Sequence, residues 1–248
     1  MAEYKYKSDS LGFYENNVEE YLRKTTSPYE SIIRDIEFDI LSDIFKKLGL
    51  DKCKVLDIAC GYGRHAEFYT KLGCEYTGFD IDKSAIKLAL DSGLNVHLWS
   101  EHLKCDPDFV NNEQFNVFHS FRFLLNNKTA FISTTKRISP WLGDSGIFIF
   151  NVHLNNNSLT GLMLRLKNFL LPNRDNSINT ISYNEVRSLM NELGFEIVDR
   201  YDYMLLPRTR LLKLLPVKIY RAIERMIVRF FHPKRFGTNF ILCAKRKL

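Results

Sequence analysis

The chain carries V-L-D-I-A-C-G-Y-G-R-H-A at residues 55–66 and Y-T-G-F-D-I-D at residues 76–82, with a helical pattern between them. Val55, Leu56 and Ile58 read as a buried strand running into the glycine pair Gly61 and Gly63. Phe68 and Leu72 mark the inner side of a helix, and Tyr76 to Phe79 reads as a second strand that ends on Asp80. Strand, tight glycine turn, helix and strand make one βαβ nucleotide-binding unit. Glycine is needed where the backbone turns sharply and a ligand lies against it, and an acid ending the second strand can accept both hydroxyls of a ribose. The unit therefore implies an adenosine-containing cofactor.

Gly61, Gly63 and Ala66 also satisfy the dinucleotide pattern G-x-G-x-x-G/A. Asp57 argues against a dinucleotide, because a carboxylate before the glycine turn repels a pyrophosphate but suits the amino group of a methionine moiety. With D-I-A-C-G-Y-G-R and G-F-D-I-D at this spacing, the chain resembles the Rossmann-like (class I) S-adenosylmethionine-dependent methyltransferases. The resemblance implies an enzyme whose cofactor is S-adenosyl-L-methionine. It also implies that Asp57, Ala59, Gly61, Gly63, Asp80, Ile81, Glu101 and Ser120 surround that cofactor, with Asp80 on the ribose and Asp57 at the methionine end. Glu101, in S-E-H-L, stands where the family usually places an Asp on the adenine amino group, and the choice among Ser100, Glu101 and His102 stays open.

With 248 residues, 45% apolar and 13% aromatic, the chain can bury the core of one substantial domain with additions. Five cysteines without C-x-x-C spacing indicate neither a disulfide framework nor a zinc site, and point to a reducing, cytoplasmic compartment. No acidic metal-ligand cluster stands out, so no metal is expected. No apolar run approaches the ~18 residues of a spanning helix, so the chain is not expected to cross a membrane. The oligomeric state cannot be read from the sequence.

The remaining pieces fit the same architecture. A helix from about Pro28 to Leu48 carries a stripe of Ile32, Ile36, Ile40, Ile44 and Leu48. Strands are expected at Asn95 to Trp99, within Gln114 to Leu125, and at the nearly all-apolar I-F-I-F-N-V-H ending on His153. Ser182 and Glu185 form a capping box for a helix that Gly194 ends, a sixth strand follows, and F-G-T-N-F-I-L-C-A-K-R supplies a seventh. The resemblance implies that the seventh strand lies antiparallel beside the sixth, completing a doubly wound, mostly parallel seven-stranded α/β sheet. The expected organisation is a lid and covering helix at 1–50, a core at 51–203 and 236–248, and a basic insertion at 204–235.

Acceptor-side candidates sit at the carboxyl ends of strands, the edge where open α/β sheets bind ligands. His153 and His119 are candidate catalytic residues, since a histidine titrates near neutrality and can take a hydroxyl proton. Arg122 is a candidate to grip an acceptor anion in bidentate fashion, sharing a face with Asn126 if a helical turn starts there. Asn151 joins them from the fifth strand. In the resembled family N-terminal segments close over the site, which makes Tyr14 and Tyr21 candidates too; the alternative is a tail in front of a covering helix. Asn116 stands where family members often have an acid. The run Gly161 to Leu171 either walls the acceptor pocket or packs on the core.

From Leu205 to Arg235 there are nine basic residues against one acid, Glu224. At 100° per residue Lys218, Arg221, Arg225 and Arg229 fall within about 80° of one another, opposite Ile219, Tyr220, Ile223, Met226, Ile227, Phe230 and Phe231. Such a basic amphipathic helix fits an anionic membrane surface, a nucleic acid, or simple packing on the sheet. F-R-F-L-L-N, N-V-H and the basic insertion resemble bacterial methyltransferases of surface-polysaccharide synthesis. That likeness implies O-methylation of a sugar in a glycan such as lipopolysaccharide O-antigen, including acidic sugars such as Kdo, on the inner face of the membrane through 205–231. A quinone or other lipid-soluble small molecule is the alternative acceptor. Nucleic acid is disfavoured because no N/D-P-P-Y/F tetrad follows strand four.

Overall fold

Val55, Leu56 and Ile58 leave the first strand with almost no polar face, so it is stable only inside a sheet covered on both sides. The computed structural model describes residues 28–100, 107, 110, 114–170, 180–206, 216–231 and 236–247, and for 28, 29, 168, 217 and 229–231 the backbone alone. The described order is α1 (Pro28–Leu48), β1 (Lys54–Ile58), α2 (Ala66–Lys71), β2 (Glu75–Asp80), α3 (Lys83–Asp91), β3 (Val96–Leu98), β4 (Phe115–Ser120) and α4 (Lys128–Ile138). There follow β5 (Leu142–His153), α5 (Leu159–Leu170), α6 (Tyr183–Glu192), β6 (Phe195–Tyr203), α7 (Val217–Phe231) and β7 (Asn239–Arg246). The strands form one sheet in the order β3-β2-β1-β4-β5-β7-β6. β1 to β5 are parallel, and β7 runs antiparallel between β5 and β6. This is the seven-stranded doubly wound arrangement that the sequence leads one to expect.

Two hydrophobic cores occupy the two faces of the sheet. Val55, Val117, Ile149, Ile241 and Cys243 pack on one side with Ile32, Ile36, Ile40 and Ile44 of α1, Phe68 of α2, Ile86 of α3 and Tyr220 of α7. Leu56, Phe118, Phe148, Phe150 and Leu242 pack on the other with Phe131 of α4 and Val186 of α6. Since side chains alternate along a strand, Asp57, His119, Asn151 and His153 project to the same side as Val55, Val117 and Ile149, the side that α1 covers. Asp57 and His119 are direct cross-strand neighbours.

Local chemistry moves several boundaries. α2 is only six residues long; it buries Ala66, Phe68 and Tyr69, while Leu72 caps its end and is exposed. Leu48, also at a helix end, is exposed rather than continuing the stripe. α4 yields to a 3₁₀ turn at Ser139–Trp141, where Pro140 has no N–H to continue the helix. The capping box of Ser182 and Glu185 forms as expected.

In α7 the division into a basic stripe and an opposite apolar side is not kept in the packing. Arg221 and Arg225 pair with Asp35 and Asp39 of α1, each at 2.6 Å. Tyr220 and Glu224 are buried, and Glu224 accepts the backbone N–H groups of Leu205 (3.1 Å) and Leu206 (2.7 Å). Ile219 and Met226 remain exposed. The helix therefore faces α1 with Tyr220 and Glu224 inside and with Arg221 and Arg225 at the rim of the contact, where they reach the acids of α1. Arg208, Arg210, Lys213, Lys234 and Arg235 lie outside the described residues, as do the side chains of Arg229, Phe230 and Phe231. Among the described residues no helix is long and apolar enough to cross a membrane.

Candidate active site

The nucleoside end is built by backbone conformation. Ala59, Gly61 and Gly63 all have positive φ (57°, 55° and 79°), so the chain leaving β1 makes successive left-handed turns that glycine accommodates and alanine adopts only under strain. The Asp80 carboxylate, at the end of β2, accepts the N–H of Gly61 (2.8 Å) and that of Asp82 (3.0 Å), which ties the two motifs together. Burial raises the pKa of Asp80 against those hydrogen bonds. The backbone N–H of Trp99 bonds the Asp80 carbonyl at 3.0 Å, and the side-chain atoms Asp82 Oδ2 and Trp99 Nε1 are buried without hydrogen-bond partners among the described residues. An acid, an opened glycine turn and unsatisfied polar atoms at one strand edge fit the ribose and adenine of S-adenosylmethionine. Ile81 is exposed at this edge, and Ser120 is buried with its hydroxyl on the Ile58 carbonyl (3.2 Å).

Asp57, the candidate for the methionine end, already has protein partners. It is buried, Oδ1 lies 2.8 Å from His119 Nδ1, and Oδ2 accepts the Tyr76 hydroxyl at 2.8 Å. The strand alternation that aligns Asp57 with His119 turns its carboxylate toward these neighbours. The Asp57 contact assigns the proton to Nδ1. It leaves Nε2 of His119 buried without a partner among the described residues. His119 thus stands under the site, its ring stacked on Phe121 (centroids 4.2 Å), rather than at its surface.

A second network descends from α1. Glu37 is fully buried; its Oε1 accepts the hydroxyl of Tyr203 (2.7 Å) and the amide of Asn151 (3.3 Å). Its Oε2 lies 3.2 Å from Arg64 NH2 and 3.3 Å from His65 Nε2. Burial alone raises the pKa of Glu37, but the hydrogen bond to His65 and the charges of Arg64 and Arg122 outweigh it and lower it to about 2. Burial lowers His65 to about 4, so it stays neutral beside its ionised partner. One turn-pair earlier on α1, Glu30 Oε2 binds both Arg64 (3.1 Å) and Arg122 (2.5 Å). Two arginines and two glutamates thus pair with one another, while Arg64 Nε stays buried without a partner among the described residues.

On the acceptor side the structure corrects one expected geometry and gives the other candidates their surroundings. Arg122 has φ +65°, so no helical turn begins there; the turn starts one residue later, with Asn127 N–H on the Phe123 carbonyl. Asn126 is therefore exposed and off the Arg122 face, and Asn127 caps α4. The guanidinium of Arg122 already holds Glu30. Asn151 is buried, with Oδ1 accepting the Arg122 N–H (2.6 Å), so it braces the turn that carries Arg122. His153 lies half-buried at the end of β5, and burial, then the charge of Arg122, lowers it to about 4. Asn116 lies at the opposite end of β4, where it accepts the Lys54 N–H (2.8 Å). Tyr14, Tyr21 and Glu101 lie outside the described residues.

Sequence reading missed Glu30, Glu37, Arg64, Tyr76 and Tyr203. One signal was present: Glu37 stands four residues after Ile33 and four before Leu41, an acid within the buried stripe of α1. Burying such a charge is costly without partners, so partners had to exist.

A family model described as "Methyltransferase domain" matches residues 29–200. No curated protein matches the chain. Among solved structures, magnesium protoporphyrin IX methyltransferase from Synechocystis with bound SAH is 12% identical, with a TM-score of 0.62 over 95% of this chain and 96% of that one. An S-adenosylmethionine-dependent methyltransferase from Clostridium acetobutylicum is 13% identical (TM-score 0.57, 95% and 99% covered). The plantazolicin methyltransferase in complex with SAH is 11% identical (TM-score 0.60, 97% and 93% covered). At these identities the likeness is one of fold.

Proposed function

Because the chain belongs to the methyltransferase-domain family and is an S-adenosylmethionine-dependent methyltransferase, we propose that its acceptor is a sugar hydroxyl of a bacterial surface glycan. The observation that carries this reading is His153: an imidazole kept neutral by burial, at the carboxyl edge of β5 beside the Arg122–Glu30 pair. S-adenosylmethionine, when bound, supplies a methyl group already activated by the sulfonium, so the protein's task is to position a hydroxyl and receive its proton. Neutral His153 can do that in a general-base role. With a pKa near 4 it is a weak base at pH 7, which sets its contribution toward the ~10²-fold end of the range for such groups. Asn151 and Tyr203 hold the strand ends around it.

Arg122 and Glu30 bear on the kind of sugar. A carboxylate of an acidic sugar such as Kdo has to displace Glu30 from Arg122, whereas a neutral sugar can hydrogen-bond to the pair as it stands. We therefore favour a neutral residue, carried on a lipid-linked glycan such as O-antigen at the inner membrane face. The pairing of Arg221 and Arg225 with Asp35 and Asp39 leaves less of the basic stripe for nucleic acid phosphates. It leaves Lys218 and the exposed Ile219 and Met226 for a membrane surface. A quinone or similar lipid-soluble acceptor is the second reading, favoured by the apolar surface of α5.

Mass spectrometry of the surface glycan from cells with and without the gene tests the proposal. Loss of one methyl group per repeat or terminus is expected, restored by the wild-type chain and only slowly by His153→Ala. An unchanged glycan overturns the sugar reading, and equal restoration by both forms removes His153 from the chemistry.

A further inference from the structure

α5 is anchored at its start and bare along its length. The Ser158 hydroxyl accepts the Gly161 N–H (2.9 Å) and donates to the Asn155 carbonyl (2.7 Å), capping the first turn. A side chain at Gly161 would meet the Asn155 oxygen at 2.0 Å, so glycine is what lets the helix sit this close. Thr160 Oγ1 lies 3.1 Å from Thr238 Oγ1, at the base of β7 where the chain returns from α7. Beyond that turn the helix does not spend its apolar side chains on either core. Leu159, Leu162, Met163, Leu166 and Leu170 are 51–64% exposed, and Phe169 is 81% exposed.

These six side chains form one surface. At about 100° per residue they fall within an arc of about 120°, and Arg165 and Lys167 stand about 40° beyond its two edges. Both basic residues are exposed, and the helix contains no acid. A continuous apolar face on a water-exposed helix marks an interaction site.

We propose that α5 lies in the interface of an anionic lipid bilayer, its leucine and phenylalanine side chains in the acyl boundary and Arg165 and Lys167 on the headgroup phosphates. Charge selects this occupant over a second copy of the chain. Pairing two α5 faces brings Arg165 and Lys167 of one copy against the same residues of the other with no acid on either helix, whereas a bilayer offers apolar depth flanked by negative charge on both sides. α5 begins six residues after His153, so a bilayer held there meets the same sheet edge as the proposed acceptor. The proposal does not depend on that acceptor being a sugar.

Flotation of the full chain with vesicles of phosphatidylglycerol and phosphatidylcholine tests it, with thermal melting and S-adenosylhomocysteine affinity as controls for the fold. The wild type should float with anionic vesicles at low salt and not with phosphatidylcholine alone. Leu162→Ser/Leu166→Ser/Phe169→Ser should lower the partition coefficient roughly tenfold per side chain. Arg165→Glu/Lys167→Glu should lower it by about fivefold for each positive charge lost. Both variants should keep the melting temperature and cofactor affinity of the wild type, since neither face is used by the core. Failure of the wild type to float overturns the proposal. So does flotation unchanged by either variant, or a triple variant that converts a dimer to a monomer in sedimentation while floating as before.

Discussion

The candidate nucleoside half and the candidate acceptor half of the site stand side by side on one sheet edge and are made in opposite ways. In the first, Gly61 and Asp80, 19 residues apart, meet within one βαβ unit, and the shape is set by positive-φ backbone. In the second, Glu37 meets Asn151 across 114 residues and Tyr203 across 166, and Glu30 meets Arg122 across 92. There the shape is set by side chains that satisfy one another's charge and hydrogen bonds. A pocket for a universal cofactor can be a fixed piece of backbone, while a pocket for a particular acceptor is assembled from whichever elements converge on it.

Removing the hub of the second half should have the largest effect. Glu37→Ala leaves Arg64 with Glu30 alone and the buried Tyr203 hydroxyl without its acceptor, and should cost about 3–5 kcal/mol in urea unfolding. A loss under ~1 kcal/mol, the scale of one ordinary hydrogen bond, would mean that the network does not hold this half together. Asp80→Ala should act in reverse. Titration calorimetry should show S-adenosylhomocysteine binding weakened roughly 10- to 100-fold, as for hydrogen bonds to a charged group, with stability changed by only ~1 kcal/mol. Affinity equal to wild type would take Asp80 out of the ribose contact.

The smallest effect sharpens the contrast through pH. His65 is lowered from 6.5 to about 4, so the folded state binds fewer protons there than the unfolded chain, and its stabilisation is present above pH 6.5 and lost as pH falls toward 4. Between pH 7 and 6 this amounts to roughly 0.7 kcal/mol. Glu37, lowered from 4.5 to about 2, adds a further loss from pH 4.5 down to 2. Unfolding free energies measured across pH 7 to 5 should fall less steeply in His65→Gln; parallel curves would show that His65 does not titrate with folding.

The same contrast explains what could be read from sequence. Gly61, Gly63 and Asp80 announce themselves because a short contiguous pattern sets their conformation, and the strand count follows from apolar runs bounded by glycine and proline. The placement of Arg122 was misread because its left-handed conformation is imposed from outside, by Asn151 holding its N–H and Glu30 its guanidinium. The orientation of α7 stayed open because its pairing partners Asp35 and Asp39 stand more than 180 residues earlier, where no local pattern points to them. Asp57 shows the middle case: its position was legible, but its partners His119 and Tyr76 come from neighbouring strands whose register no local pattern states.

The bond between Glu37 and Tyr203 also bears on the order of events during synthesis. A ribosome emits chains at roughly 5–20 residues per second. α1 and the complete glycine motif therefore emerge many seconds before Tyr203, and the nascent chain must carry the Glu37 carboxylate on an otherwise apolar helix face without its final partner. During that interval α1 has reason to stay solvated and undocked. The candidate acceptor half should then close only after β6 has been made, so that the site is completed by one of the last strands to leave the ribosome.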